Sequence, residues 1–433
     1  MRFFYGGGIL TILYTASFAI PVLLPLVHGL ALLYGVIVII DAIMLFSPGQ
    51  KLSGGRSTSK MWSLGDPNNV RIHLVNRFRF EVHIELTDEM PEQLQMRDQS
   101  HIFNLKSGQK KNICYQVTPN SRGKYEYGNI KALISTSLRL VGRMITLQQK
   151  TALPTFPGIM QMKKYELMAF AKTSTMEGIK KVRRLGHSYE FEQIKTYVQG
   201  DDIRSVNWKA TGRRNQLMVN QYENERSQQV YSIIDKSRNM HMPFNGLTLL
   251  DYAINTSLVI SNIVIKKYDK AGLISYSNTI GSTIKAERSA HHLKKIMQAL
   301  YNEKARSNDA NYDLLYRAVK NVVKTRSLLF LYLNFESEYN MERALPVLRK
   351  LSRMHLLVVV IFENTELLEY AQKKADYISE IYTQTMAQKL LLDKRKLVKK
   401  LRTYGVSTIL SKPEDLSINT VNKYLELKSQ GLI

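Results

Sequence analysis

From Phe3 to Phe46 the chain is almost entirely apolar, and His28 and Asp41 are the only side chains in the stretch that can carry charge. A run of this length is about twice the ~20 residues needed to cross a bilayer once. Pro21, Pro25, His28 and Gly29 interrupt it, which predicts two spans, over about 8–26 and 30–46, joined by a short turn. A cleavable signal peptide would be shorter and would stop at a small-residue cleavage site, whereas this stretch runs past every such position. Arg2 precedes the first span, Lys51, Arg56 and Lys60 come after the second, and the turn holds no Lys or Arg. The positive-inside rule then places both ends, and everything after residue 47, in the cytoplasm of a multi-pass inner-membrane protein. Asp41, near the inner end of the second span, is expected at the interface or held by a polar neighbour.

With 433 residues, the chain exceeds what one ordinary core organises, so two or three domains are expected. The formal net charge of +25 is spread along the soluble region and reads as a solvated basic surface close to anionic lipid. Neither zinc-finger spacing nor a base-reading helix is present, so no nucleic-acid partner is expected. The single cysteine, Cys114, excludes an internal disulfide and any multi-cysteine metal site.

Between about Val70 and Leu147 the apolar pattern switches to period two. Val70–Val75, Phe80–Leu86, Asn112–Val117 and Ile130–Ile134 alternate in this way, with turn signals at Gly65-Asp-Pro-Asn-Asn and Pro119-Asn-Ser-Arg-Gly. Short strands so spaced predict a β-sandwich-like domain. Residues from about Lys163 to Arg184 have helical tendency and end in the basic run Lys180-Lys-Val-Arg-Arg. After Arg226 five apolar runs, Gln229–Ile234, Ala271–Tyr276, Ser327–Leu333, Leu356–Ile361 and Ser407–Leu410, alternate with amphipathic stretches. Continuous apolar strands alternating with helices predict a doubly wound parallel sheet. No P-loop, dinucleotide-binding glycine pattern or nucleophile elbow occurs there, and Gly272 reads as a point of close packing in a strand. The expected organisation is a transmembrane hairpin over 1–50, a β-sandwich-like domain over 60–160, a basic linker and motif segment over 161–226, and an α/β domain over 227–433.

The motif segment runs from Gly186 to Arg213. Val198-Gln-Gly-Asp-Asp is a turn, with Gly200 free to take positive φ. Asp201 and Asp202 are placed to cap the next turn of chain and to attract Arg204. Trp208, one of two tryptophans, is expected to bury against the α/β domain. The order Gly186, Glu190, Phe191, Tyr197, Gly200, Asp201, Arg204, Trp208, Arg213 resembles the signature of the domain-of-unknown-function family fifty-eight. Ser121-Arg-Gly-Lys-Tyr-Glu-Tyr-Gly resembles that family's β region, and on these residues the likeness extends from the membrane hairpin to the C-terminus. Asn207 departs from the pattern, since the family commonly has Asp before the Trp.

Asp235-Lys-Ser237-Arg-Asn239, at the end of the first α/β strand, resembles the Asp-x-Ser-x-Ser loop of von Willebrand A domains, which binds Mg²⁺ through oxygen ligands. Asn239 replaces the second serine, and Leu333-Asn334-Phe335 lacks the Asp usual after the strand that leads into it. Asp235, Ser237 and Asn239 are therefore a weakened Mg²⁺ candidate, with local capping as the other role of Asp235 and Ser237. The resemblance implies a non-enzymatic scaffold or adaptor with a von Willebrand A-like domain, partnered by a MoxR-type AAA+ ATPase that consumes the ATP, in envelope assembly or stress response. The alternative is a metal-dependent hydrolase using Asp235 and the Asp201/Asp202 turn.

Overall fold

The computed structural model describes residues 2–47, 52–96, 99–148, 150–170, 190–199, 201, 203–223, 227–373 and 377–432. The chain divides into two compact units, Met1–Phe156 and Pro157–Ile433.

The first unit opens with two apolar helices, α1 (Arg2–Ala19) and α2 (Leu24–Phe46), separated by a short 3-10 turn over Pro21–Leu23. The break therefore falls before His28 and Gly29, which both lie inside α2. The physical reason is that Pro25 occupies the first turn of α2, where a proline's missing N–H costs nothing. The two helices meet closely at Gly6, where a Cβ would collide with the Tyr34 ring. Tyr34 also stacks on Phe3 and donates a hydrogen bond to its carbonyl at 2.9 Å. Most of both helices presents apolar side chains outward, Phe18 and Leu32 among the most exposed. With a mean hydropathy of 2.5 in its most apolar stretch, α2 is long and apolar enough to cross a membrane. An apolar pair exposed in this way suggests membrane association.

The last turn of α2 behaves differently. Leu45 is fully buried in the core of the adjoining β domain, and its carbonyl accepts from Arg143 at 3.1 Å. Asp41 accepts from Thr136 Oγ1 and from the Val141 N–H. The held-by-a-neighbour expectation for Asp41 thus applies, and the second apolar helix is clasped into folded protein before it ends.

The β domain contains β1 (Leu52–Thr58), β2 (Trp62–Ser63), β3 (Asn68–Asn76), β4 (Val82–Asp88), β5 (Gln99–Leu105), β6 (Lys110–Val117), β7 (Gly123–Tyr127), β8 (Ile130–Ser135), β9 (Gly142–Gln148) and β10 (Thr151–Phe156). They form sheets of order β1-β3-β6, β2-β10-β7 and β5-β4-β8-β9. The four alternating runs read from sequence are β3, β4, β6 and β8, whose inward residues, such as Val70, Ile72, Ile84, Leu86 and Ala132, are fully buried. Trp62 is fully enclosed between Tyr125 and Tyr127, with ring centroids at 5.8 and 5.6 Å. Beside them Arg56 lies over the Tyr127 ring at 4.0 Å and forms a buried ion pair with Asp88. Arg56, although it flanks the apolar stretch in sequence, is thus committed to this core.

The second unit begins with α3 (Ile159–Phe170), which packs on α5 (Leu249–Lys266) through Met162, Tyr165 and Ala169, with Glu166 accepting from Asn262. The basic run at 180–184 lies outside the described residues. A two-stranded ribbon, β11 (Glu190–Thr196) with β12 (Met218–Glu223), carries the short helix α4 (Trp208–Arg214) between its strands. Then come β13 (Gln229–Asp235), the small hairpin β14 (Pro243–Phe244) and β15 (Leu247–Thr248), α5, β16 (Lys270–Tyr276), β17 (Ile280–Glu287), α6 (Ala290–Asn302), α7 (Tyr312–Val322), β18 (Leu328–Leu333), α8 (Glu338–Met354), β19 (Leu356–Phe362), α9 (Thr365–Gln372), α10 (Ile378–Thr403), β20 (Ser407–Ser411) and α11 (Leu416–Ser429).

The main sheet has the order β17-β16-β13-β18-β19-β20, all parallel except the edge strand β17. Numbered within the sheet this is the doubly wound order 3-2-1-4-5-6, with its topological switch point between β13 and β18. All five apolar runs read from sequence are parallel strands of this sheet. Gly272 is a close-packing position, because a Cβ there would strike the Tyr231 ring. α5 is also apolar enough to span a membrane, but 83% of its apolar window is buried, and it is the core helix of this unit.

Candidate functional site

The motif segment folds as ribbon, turn and helix. At the turn, Asp201 accepts from the Val198 N–H at 3.0 Å and from Lys195 at 2.8 Å, and the Lys195 hydrogen bond chiefly holds its carboxyl below the ordinary range. Lys195 is thus a cation the structure sets on Asp201, and the other carboxylate expected to attract Arg204, Asp202, is not among the described residues. Gly186, Gly200 and Asp202 lie outside the described residues. Glu190 and Phe191 pair in register with Glu223 and Tyr222, and the Tyr197 N–H donates to the Leu217 carbonyl.

Asn207 starts α4 as its N-cap: its Oδ1 accepts from the Ala210 N–H at 3.0 Å, and its Nδ2 donates to Asn220 Oδ1 at 2.8 Å. An aspartate could cap equally well but could not donate to Asn220, so the amide at this position suits its neighbour. Thr211 ties α4 back to the ribbon by donating to the Asn207 carbonyl and accepting from the Met218 N–H.

Trp208, the first residue of α4, is 73% exposed, so its expected burial is overturned. The cause lies in the architecture. Among the described residues no further strand joins the β11-β12 ribbon, and burial of a large ring needs a second layer. Met218 and Val219 take the inward positions instead. Ile203, Val198 and Leu217 on the same segment are also strongly exposed. Between α4 and the ribbon lies a cleft of about 360 Å³ lined by Ile194, Asn207, Ala210, Met218 and three cations, Lys209, Arg213 and Arg214. The segment can therefore offer an aromatic side chain, apolar surface and positive charge together.

The second candidate is the loop after β13. Asp235 and Ser237 are buried, and Asn239 nearly so. Both Asp235 oxygens accept from Ser237, one from its N–H at 2.8 Å and one from its hydroxyl at 2.9 Å. Burial pushes the Asp235 carboxyl up to about 6 despite those hydrogen bonds. Lys236 is buried against Glu303 at 2.5 Å, and Arg238 pairs with Asp309 at 2.9 Å. Burial opposes charge on Glu303, but its bonds from Lys236, Ser275 and Ser282 hold its carboxyl low.

Across the switch point, Asn334 Nδ2 donates to the Asn239 carbonyl at 3.3 Å, and Asn239 Nδ2 donates weakly to the Asn334 carbonyl at 3.4 Å. Lys394, reaching in from α10, donates to Asn334 Oδ1 at 2.8 Å. Sequence reasoning missed Lys394 altogether, and no local pattern links it to a residue sixty positions earlier. Among the described residues no cluster of three or more His, Cys, Asp or Glu could hold a metal ion. One carboxylate engaged by Ser237, with the facing amide oxygen engaged by an ammonium, does not fit the oxygen cage that Mg²⁺ requires.

Residues 193–368 match the family model for protein of unknown function DUF58, which supports the DUF58 family. The matched stretch starts inside β11 and ends in α9, so it takes in Tyr197 to Arg213 and the Asp235 loop but neither the N-terminal helices nor the β domain. No curated protein matches the chain. Among solved structures, protein BatB from Bacteroides thetaiotaomicron is 11% identical, covering 47% of this chain and 99% of that one, at a TM-score of 0.30. A CARDB domain from Pyrococcus furiosus is 13% identical over 24% of this chain and 93% of that one, at 0.19. Proximal thread matrix protein 1 of the mussel byssus is 12% identical over 47% of this chain and 46% of that one, at 0.27. These are partial likenesses, and none defines the fold of this chain.

Proposed function

We propose that the chain is a non-enzymatic, membrane-anchored scaffold or adaptor whose docking face is the Trp208 segment. The observation that carries this reading is the exposure of Trp208 at 73% beside a cationic cleft, inside the stretch matched by the family model. Exposed tryptophan is costly to leave in water and is enriched among residues that dominate binding at interfaces. The doubly wound order, with Asp235 ending its first strand and Ser237 in the loop that follows, supports a von Willebrand A-like reading of the α/β unit. The partner we propose is a MoxR-type AAA+ ATPase, and the setting is envelope assembly or stress response.

The full chain in detergent is expected to capture such an ATPase, and Trp208→Ala to weaken capture about tenfold or more, as loss of an interface hot spot does. Equal capture by parent and variant would remove the segment from the interface.

In this reading α1 and α2 both cross the inner membrane, and the soluble regions face the cytoplasm. Protease added to right-side-out vesicles is expected to leave the chain intact and to cut it once the membrane is opened. Cleavage after residue 51 from the outside would reverse the orientation.

A further inference from the structure

The geometry points to Lys394 as a built-in cation: its ammonium takes the Asn334 side of the switch-point crevice of the α/β unit, where a divalent metal would need a carboxylate, and this crevice therefore holds no such metal. In a doubly wound sheet, ligands gather beyond the carboxyl ends of the strands at the switch point. Here that point is framed by Asp235, which ends β13, and by Asn334, which comes directly after the end of β18. The two sides are joined by the reciprocal amide contacts of Asn239 and Asn334.

A crevice of oxygen donors attracts positive charge, and Lys394 supplies it. Its Nζ donates to Asn334 Oδ1 at 2.8 Å, with Glu363 and Glu336 favouring its charged form from nearby. Lys394 is partly buried, and desolvation pushes its pKa down to about 8. Lys236 and Arg238 cannot play this part, because Glu303 and Asp309 hold them. One acceptor, Asn239 Oδ1, is buried without a hydrogen-bond partner. It is a single neutral oxygen, whereas Mg²⁺ is ordinarily held through one or two carboxylates and its own waters. Beyond it the loop offers Asp235, whose two oxygens already accept from Ser237. An ammonium needs neither an octahedral cage nor dehydration of a divalent ion, so it is the cation these donors suit.

The test uses the full chain in detergent, with Mg²⁺ and Mn²⁺ as probes. Calorimetric titration of the parent with either ion is expected to show no binding. The double substitution Asn334→Asp with Lys394→Met restores a carboxylate and removes the ammonium, and is expected to gain Mn²⁺ binding that Asp235→Ala removes again. Parent binding that disappears in Asp235→Ala would overturn the proposal. So would a double variant that melts like the parent and still binds no metal. A measurement on the parent alone covers the case in which the variant does not fold. Amine acetylation, mapped by peptide mass, is expected to modify Lys394 far more slowly than Lys396, whose side chain is 78% exposed two positions away. Equal labelling of the two would show the Lys394 ammonium to be free in solvent, and would overturn the assignment.

Discussion

Trp62→Ala is expected to destabilise the β domain by about 3–5 kcal/mol, the cost of emptying a large aromatic site in a packed core. Trp62 has no exposed surface, is held between Tyr125 and Tyr127, and donates its indole N–H to Thr58 Oγ1 at 2.9 Å. Truncation therefore leaves a void between two rings that are tied elsewhere, Tyr125 through its hydroxyl to the Ser121 carbonyl and Tyr127 through Arg56 above it. Neither ring is free to collapse into the space. Trp208→Ala is the contrast: an exposed side chain away from any core is expected to change stability by no more than about 0.5 kcal/mol. Calorimetry of the full chain separates the two, with one transition falling in Trp62→Ala and none in Trp208→Ala. An equally large fall in Trp208→Ala would return that residue to a folding role and remove the basis for a docking face.

The second large effect is at the buried ion pair of the same domain. Asp88→Ala is expected to cost about 3–5 kcal/mol, because it leaves the Arg56 guanidinium enclosed without its counter-charge. Both side chains are almost wholly shielded from solvent, and the Tyr115 hydroxyl also donates to Asp88. The attraction between the charges is strong in that setting, but much of it offsets the cost of removing both from water. Joint replacement, Arg56→Met with Asp88→Leu, is thus expected to recover most of the loss of the single variant. Strict additivity of the two single substitutions in denaturant unfolding would contradict a coupled pair.

These outcomes bear on how far the amino-acid order alone determined this protein. Periodicity is a local property, and wherever it was strong it sufficed. Five apolar runs became the parallel strands of the main sheet, and four alternating runs became β3, β4, β6 and β8. The apolar helices at the N-terminus were legible for the same reason. Weakly patterned elements were not legible. β1 reads Leu-Ser-Gly-Gly-Arg-Ser-Thr and owes its place to pairing with β3, and the edge strand β17 is held by β16.

What the fold alone decided were the relations between residues far apart in the chain. Asp41 meets Thr136, Arg56 meets Asp88, and Lys394 meets Asn334, and nothing in the intervening sequence marks these partners. The two tryptophans make the same point. Their residue type predicts burial for both, since each offers a large apolar ring. Trp62 gains that burial because neighbouring strands bring two tyrosines over it, while Trp208, at the start of α4 beside a two-stranded ribbon, stays 73% exposed. Composition set how much apolar surface needed cover, and the layering of the elements determined which of it received any.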